Sequence, residues 1–225
     1  VWGQYDKAIE NFQQVLAIAK RLGKEEDIAL SLNDIGAAYK YWDKYDKAME
    51  NYQQALTLYR KLGKEEEIAS SLIDIGTVYN SWGQYDKAME NYQQALTLFK
   101  KLGKEDRIAS SFKSIGVMYE FLRRYDKAIE NFQQALTLFR KLGNEDRIAS
   151  SFNDIGRLYN SWGKSDKAME NHQQALTLYR KLGEEEMIAL SLSGVGTVYE
   201  SQGQYDKAIE NFQQALAIAR RLGNE

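Results

Sequence analysis

The 225-residue sequence contains no cysteine, no proline and only one histidine. The absence of cysteine excludes disulfides, thiolate metal sites and a cysteine nucleophile. Without proline, no helix is interrupted by that residue, so glycine has to end the helices. A single histidine, His172, is too few for a histidine metal cluster or a proton relay. We therefore expect no catalytic residue, no metal site and no cofactor.

The sequence also has neither an excess of one charge nor a long apolar run. Charged residues make up 28% of the chain, yet the formal net charge is only -2. Nucleic-acid-binding proteins and polybasic membrane-surface proteins usually carry a basic excess, so we expect neither kind of partner. No apolar run approaches the roughly 18 residues that span a bilayer, and the N-terminal residues lack a signal-peptide pattern. The resulting expectation is a cytoplasmic protein.

What the sequence does contain is one forty-residue segment, present almost six times. The segment opens as YDKAIENFQQ and returns without drift in spacing at Tyr5, Tyr45, Tyr85, Tyr125, Ser165 and Tyr205. A fixed period of roughly 20 to 50 residues is typical of a solenoid, in which each unit buries its apolar face against its neighbours. We predict one solenoid over residues 1–225. It starts with the second helix of a partial unit at 1–23 and continues with helix-pair units at 24–63, 64–103, 104–143, 144–183 and 184–225.

Each unit is predicted to form two antiparallel helices of roughly 16 to 18 residues. In the unit at 24–63, apolar residues from Ile28 to Tyr39 recur at steps of three and four, and so do those from Tyr45 to Tyr59. Acidic residues stand in the first turn of both helices, which suits the helix dipole, and Gly63 is placed to end the second helix. The chain is thus predicted to be all-α, with about eleven helices.

The unit resembles the tetratricopeptide repeat, whose pattern is W-x2-L-G-x2-Y followed by A-x3-F and a closing P. The matching residues of one unit are Leu32, Ile35, Gly36, Tyr39, Ala48, Tyr52 and Ala55. Leu or Phe replaces the Trp of the pattern, the Pro is missing, and the unit is longer than the usual thirty-four residues. It looks like the long variety found in kinesin light chains, Pins-type adaptors and bacterial signalling proteins. This resemblance implies a right-handed superhelical solenoid of antiparallel helix pairs, with the first helices lining a concave groove.

Five glycines lie inside the first helices, where each costs about 1 kcal/mol relative to alanine. They are Gly36, Gly76, Gly116, Gly156 and Gly196. We expect close approach of the two helices of a pair to offset this cost, with Ala48 and its equivalents as the matching small residues. Tyr39 and its equivalents are predicted to be largely buried between helices.

Comparison of the copies separates a constant surface from a variable one. The second helices keep their Asp-Lys-Ala, Glu-Asn and Gln-Gln elements, whereas the first helices vary along a stripe at i, i+4, i+7 and i+8. The resemblance places this stripe in the groove, where it is a candidate binding surface; drift on an unconstrained face is the alternative. The first-helix stripe consists of Asn33, Lys40, Tyr41, Ile73, Thr77, Asn80, Lys113, Val117, Glu120, Phe121, Asn153, Arg157, Asn160, Ser193, Thr197 and Glu200.

We expect the first-helix stripe to bind a protein or peptide segment, and the chain to be a scaffold and not an enzyme. Its asparagines can both donate to and accept from an extended ligand. Lys113, Asn153 and Arg157 are predicted to form its most polar cluster, and Tyr41 and Phe121 to act as apolar anchors, together with Ile73 and Val117. Because His172 stands where other copies carry Phe or Tyr, we predict that it is a packing residue.

Two alternatives to ligand binding remain open: the regulatory region of a larger signalling protein, and a structural module that associates head to tail. The second alternative rests on apolar faces that are predicted to be bare in the first and last helices. Those faces consist of Ala8, Ile9, Phe12 and Leu16 at one end and Ala208, Phe212, Ala215 and Leu216 at the other.

The basic pairs at the ends of the second helices are a further candidate surface. Arg60-Lys61, Lys100-Lys101 and Arg140-Lys141 are predicted to lie along one edge, and each is followed by acidic residues at the start of the next helix. We expect a neutralised edge and not a track for phosphates.

Overall fold

The structure, a computed structural model, describes residues 2–223, with side chains from residue 5 onward. Within that range the chain is all-α and has eleven helices, as predicted. They are α1 (Trp2–Leu22), α2 (Glu25–Tyr41), α3 (Tyr45–Leu62), α4 (Glu65–Ser81), α5 (Tyr85–Leu102), α6 (Glu105–Phe121), α7 (Tyr125–Lys141), α8 (Glu145–Ser161), α9 (Ser165–Leu182), α10 (Glu185–Ser201) and α11 (Tyr205–Arg221). The helices group into two compact units, unit 1 at residues 1–111 and unit 2 at residues 112–225.

In unit 1 the helices pack in sequential pairs, α2 with α3 and α4 with α5, and α1 packs on α2. The main core forms around α4, whose Leu72, Ile75 and Val78 lie in one cluster with Tyr52 of α3 and Phe99 of α5. These residues fall on one face of each helix because they recur at steps of three and four. Each first helix is therefore enclosed by the second helices before and after it.

Unit 2 repeats this packing around α8. Ile155 and Leu158 of α8 lie in one cluster with Phe132 of α7 and Tyr179 of α9. A smaller cluster joins α9, α10 and α11 through Leu176, Leu192 and Ala215. The core is thus carried from helix to helix, as the forty-residue period predicts.

Glycine ends the second helices at the predicted places. Gly63 follows α3 with a φ of +67°, its N–H donates to the Arg60 carbonyl at 3.3 Å, and the Lys64 N–H donates to the Tyr59 carbonyl at 3.0 Å. The left-handed conformation of Gly63 thus provides hydrogen-bond donors for carbonyls in the last turn that have no partner within the helix. Asp43 and Arg123 adopt positive φ in the turns after first helices, a conformation that costs a non-glycine residue roughly 1 kcal/mol or more.

The mid-helix glycines do allow close approach, but the nearest partner is an aromatic ring and not the expected alanine; at Gly116 the carbonyl oxygen of Ala128, an equivalent of Ala48, would also lie 3.3 Å from a Cβ. A Cβ on Gly36 would lie 2.9 Å from the Tyr52 ring, and one on Gly76 would lie 2.7 Å from the Tyr92 ring. The ring projects from the second helix across the first, so the residue beneath it has to lack a side chain. Ala48 is fully buried in the same core, but the side chain whose closeness requires a glycine at position 36 is that of Tyr52.

Tyr39 and its equivalents keep only a minor part of their surface exposed, in agreement with the prediction that they are largely buried, but they are less deeply buried than Tyr52. These tyrosines lie in the last turn of the first helices, beside the turn into the second helix. The Tyr39 ring is stacked on Trp42, and Lys47 Nζ lies 5.2 Å from its centroid. The same lysine contact recurs at Tyr79, Tyr119, Tyr159 and Tyr199, which accounts for the identical Lys in every second helix.

Helix α1 differs from prediction at its start and on its exposed face. It begins at Trp2, three residues before Tyr5, the position at which the repeated segment opens and at which the second helices of later units start; Val1 lies outside the described residues. In a later copy, the turn before the second helix α5 is closed by a hydrogen bond from the Gln84 N–H to the Tyr79 carbonyl of α4. Among the described residues, no helix before α1 offers a carbonyl for the equivalent hydrogen bond.

The predicted bare faces of α1 and α11 are partly covered. Ile9, Ala208 and Ala215 are buried, since these positions face the adjacent first helix, and Ala8, Phe12, Leu16 and Phe212 are half-buried. Of the predicted residues, Leu216 alone is exposed. The apolar side chains that are exposed lie on neighbouring positions: Val15, Ile18 and Leu22 on α1, and Ile209 and Leu216 on α11.

The basic edge is neutralised as predicted, although by different partners. Lys61 pairs with Glu25, Lys181 with Glu145 at 2.5 Å, and Arg221 with Glu185 at 2.7 Å. In each pair the cation at the end of a second helix contacts the start of the preceding first helix, not of the next one. The two helices are antiparallel, which brings those ends together. Such exposed pairs contribute little stability, but each neutralises one cation of its basic pair.

Candidate functional site

The part of the first-helix stripe in unit 1 forms a small polar cluster between α2 and α4. Asn33 donates a hydrogen bond to Asp74, and Lys40 Nζ lies 3.5 Å from Asp74 Oδ1. Burial raises the pKa of the Asp74 carboxyl above its ordinary value, although Lys40 and Asn33 act in the opposite direction. Tyr41 is 68% exposed and is accessible to a ligand. Ile73 instead packs partly against the core, so it is a weaker anchor than predicted.

The predicted cations in unit 2 are brought together but are already paired. Lys113 Nζ lies 2.7 Å from Asp154 Oδ2, and it also donates to Ser150 Oγ at 2.9 Å. Arg157 forms an ion pair with Glu120 of α6, and its Nη2 lies 3.8 Å from Asp154 Oδ1. The cluster contains two cations and two anions. The predicted polar cluster therefore carries no excess of positive charge.

A pocket of about 310 Å³ lies between α8 and α10 and contains the most concentrated part of the stripe. We call it the α8/α10 pocket. Five of its nine lining residues were predicted for the stripe: Asn153, Arg157, Asn160, Ser193 and Thr197. The other four are Asp154, His172, Leu190 and Gly194. Stripe residues from two successive first helices thus converge on one concavity.

His172 lies at the base of this pocket and reaches it from the second helix α9. The side chain is only 5% exposed, and Nδ1 lies 3.0 Å from Asn153 Oδ1. Burial, together with the nearby charge of Arg157, lowers the pKa of His172 to about 4. The imidazole is therefore neutral at pH 7. The burial of His172 agrees with the prediction that it is a packing residue, but its ring also lines the pocket.

The remaining stripe residues lie outside the α8/α10 pocket. Val117 packs partly against the core of unit 2, Phe121 is 54% exposed, and Glu200 is exposed. In unit 1, Thr77 accepts a hydrogen bond from the Tyr92 hydroxyl at 3.3 Å, and Asn80 is half-buried. Within each unit the stripe thus presents both polar and apolar side chains on the first helices, and in unit 2 part of it lines the α8/α10 pocket.

Sequence reasoning missed Gly194 and Leu190 and assigned His172 to packing alone. The signal was present in the comparison of copies. At the place of Gly194 the other copies carry Asp34, Asp74, Ser114 and Asp154, and at the place of Leu190 three carry serine. These departures lie far apart in the sequence, so only the structure shows that they share one pocket.

The described residues hold no group of three or more His, Asp or Glu side chains placed to bind a metal ion. Nor does any helix within residues 2–223 have the length and apolarity that crossing a bilayer requires.

The family model of the tetratricopeptide repeat matches residues 3–61, 45–101, 107–181 and 183–225. No curated protein matches significantly. Many solved structures do. BtubC (BKLC) from P. vanneervenii is 23% identical, with a TM-score of 0.86 over 98% of this chain and 93% of that one. Aspartyl phosphate phosphatase F from Bacillus subtilis is 15% identical, with a TM-score of 0.78 over 100% and 69%.

A third structure, a Rap protein complexed with Competence and Sporulation Factor, is 19% identical, with a TM-score of 0.71 over 95% of this chain and 64% of that chain. At these identities the likeness shows the fold alone, which is a solenoid of helix pairs. Because the family model covers nearly all of the sequence, the chain belongs to the tetratricopeptide repeat family.

Proposed function

We propose that this chain is a non-enzymatic scaffold that binds a peptide or protein segment along the first-helix stripe. The observation that carries the proposal is the α8/α10 pocket, where Asn153, Arg157 and Asn160 of α8 converge with Ser193 and Thr197 of α10. A concave site with a few convergent polar groups is the usual form of a ligand site. The likeness to a Rap protein solved with a bound factor is consistent with this use of the fold.

Several wider features belong to the same proposal. In unit 2 the ligand would extend from the α8/α10 pocket over the neighbouring stripe residues, with the exposed ring of Phe121 as a further contact. In unit 1 the exposed ring of Tyr41 is a candidate contact in its own right. Residues 1–225 would act as one solenoid in the cytoplasm, without nucleic acid or membrane as partner. The near-zero net charge and the neutralised basic edge support that choice of partner.

Panning a random dodecapeptide display library against the chain tests the stripe as a binding surface. We expect the Arg157→Ala/Asn160→Ala variant to bind the recovered peptides at least about tenfold more weakly, because central polar contacts commonly contribute more than 1 kcal/mol. Gln173→Ala/Arg180→Ala is the matched control, since it also removes one amide and one arginine but from the exposed face of α9. Equal affinity of both variants for every recovered peptide would contradict the proposal.

Head-to-tail association of copies is a second candidate, favoured by exposed apolar side chains on α1 and α11. Val15, Ile18 and Leu22 are 50% or more exposed on α1, and Ile209 of α11 is 53% exposed. Such a heterologous contact can propagate. We expect the sedimentation coefficient of the chain to rise with protein concentration. Ile18→Lys should abolish this rise, whereas the control Thr57→Lys should leave it unchanged. A strict monomer at high concentration would rule this candidate out.

A further inference from the structure

The α8/α10 pocket is where two departures from the repeat meet. His172 takes the place of Tyr52, Tyr92, Phe132 and Phe212, and Gly194 takes that of Asp or Ser. A Cβ on Gly194 would lie 2.6 Å from His172 Cε1, and one on Gly156 would lie 3.0 Å from the same ring. The imidazole is thus held between two glycines of adjacent first helices. Since a second glycine in α10 costs about 1 kcal/mol, the ring's position accounts for a residue that helix propensity disfavours.

The hydrogen bonds of His172 fix which ring nitrogen carries the proton. Asn153 Nδ2 donates to Ser191 Oγ at 2.9 Å, so Asn153 Oδ1 is the atom that faces the ring. His172 Nδ1 therefore donates to that oxygen at 3.0 Å, and Nε2 of the neutral ring keeps its lone pair. Within residues 2–223 no group donates a hydrogen bond to Nε2. The base of the pocket thus presents an unused acceptor.

The hydroxyl groups in the pocket wall are also acceptors. Ser193 Oγ donates its proton to the Ala189 carbonyl at 3.0 Å, and Thr197 Oγ1 donates to the Ser193 carbonyl at 2.9 Å. Each hydroxyl then has only lone pairs left for a ligand. The base of the pocket and its α10 wall are therefore better suited to a hydrogen-bond donor than to an acceptor such as a carboxylate.

Charge and size narrow the occupant further. Arg157, which lies at the rim, is paired with Glu120 and Asp154, so the site attracts neither an anion nor a cation strongly. Leu190, 56% exposed, provides an apolar wall where three of the four other copies have serine. A volume of about 310 Å³ is at the lower limit for ligand sites and suits one large side chain.

We propose that the α8/α10 pocket binds one aromatic side chain of the ligand that carries an N–H or O–H donor, a tryptophan or a tyrosine, with His172 Nε2 as its acceptor. This rests on the proposed function, because the side chain would anchor a segment that lies on the first-helix stripe. The ring would contact Leu190, and its polar edge would reach the base of the pocket.

The test is an NMR titration of the chain with N-acetyl-tryptophanamide, N-acetyl-tyrosinamide and N-acetyl-phenylalaninamide. We expect the first two to shift amide signals of residues 153–160 and 190–197 and the side-chain Nε2 signal of His172. The phenylalanine probe, which lacks the donor, should bind about fivefold or more weakly, as expected for the loss of one hydrogen bond. Equal affinity for all three probes, or no binding of any, would overturn the proposal.

Variants that restore the repeat pattern make the test specific. His172→Phe/Gly194→Asp reproduces the arrangement of Phe132 with Asp154 and should remove probe binding by filling the pocket. Leu190→Ser should weaken binding about threefold or more by the lost apolar contact, whereas the control Leu30→Ser makes the same change on α2 and should leave it unchanged. If His172→Phe/Gly194→Asp bound the tryptophan and tyrosine probes with unaltered affinity, the proposal would also be overturned.

These outcomes are separable from those of the peptide library. The library could yield peptides that lack tryptophan and tyrosine and lose affinity for the Arg157→Ala/Asn160→Ala variant, while none of the three probes binds. That result would leave the scaffold function in place and refute the aromatic pocket. Pocket binding of the probes without any stripe-dependent peptide would refute the scaffold function alone.

Discussion

Replacing Phe132 with Ala is expected to lower the free energy of unfolding by about 3–5 kcal/mol, the range for a buried aromatic truncated in a packed core. The ring is only 1% exposed and lies in the main cluster of unit 2 with Ile155 and Leu158. It also lies against α6, since a Cβ on Gly116 would be 3.1 Å from it. Truncation would leave a cavity next to a glycine that cannot fill it.

Tyr119→Ala is the matched comparison, because it removes an aromatic ring from α6 in the same unit. Tyr119 is half-buried, and Lys127 Nζ lies 5.5 Å from its ring centroid. We expect this variant to cost only about 1–2 kcal/mol, from partial apolar burial and a weak cation–π contact. Urea unfolding measures the loss of unfolding free energy in both variants, provided that their m-values equal that of the wild type. A larger loss for Tyr119→Ala than for Phe132→Ala would show that the roles of the two rings are reversed.

Lowering the pH from about 6.5 to 4 is expected to destabilise the chain through His172 by about 3 kcal/mol. The pKa of about 4 in the folded state lies below the ordinary value of 6.5, because burial and then the Arg157 charge disfavour the imidazolium. Between these two pH values the unfolded chain binds the proton and the folded chain does not, so stability falls as the pH falls. Each pH unit of this difference is worth about 1.4 kcal/mol.

The difference between wild type and His172→Phe isolates this effect from the titration of carboxylates. We expect the phenylalanine variant to lose about 3 kcal/mol less than wild type between pH 6.5 and 4, with Thr177→Ala on the exposed face of α9 as a control that behaves like wild type. Denaturant unfolding at several pH values measures it. Identical losses in wild type and His172→Phe would mean that the imidazole is protonated in the folded state.

Most of the fold was predictable from the sequence because its signals are local. The steps of three and four from Ile28 to Tyr39 define a helix face, and Gly63 ends a helix by its own left-handed conformation. The forty-residue period then repeats these signals in every copy, so all eleven helices of the described chain were placed. Only α1, which begins at Trp2 instead of Tyr5, departs from the expected bounds.

The candidate site was predictable only in part. The variable stripe pointed to Asn153, Arg157 and Asn160, and the structure places all three at one pocket. Spacing along a helix could not show that Arg157 is paired with Glu120, which lies 37 residues earlier in the sequence. It also could not show that the glycines face aromatic rings, because which ring crosses which helix depends on packing between helices.

The sequence by itself therefore determined the helices, their pairing and the family, since periodicity, helix ends and repeat length are written within each forty-residue unit. Only the tertiary structure decided that the Tyr52 ring is more deeply buried than the Tyr39 ring, and that His172, Leu190 and Gly194 line one pocket with Asn153. The physical reason is that these contacts join residues of different helices, and their distances follow from side-chain packing across the helix pairs.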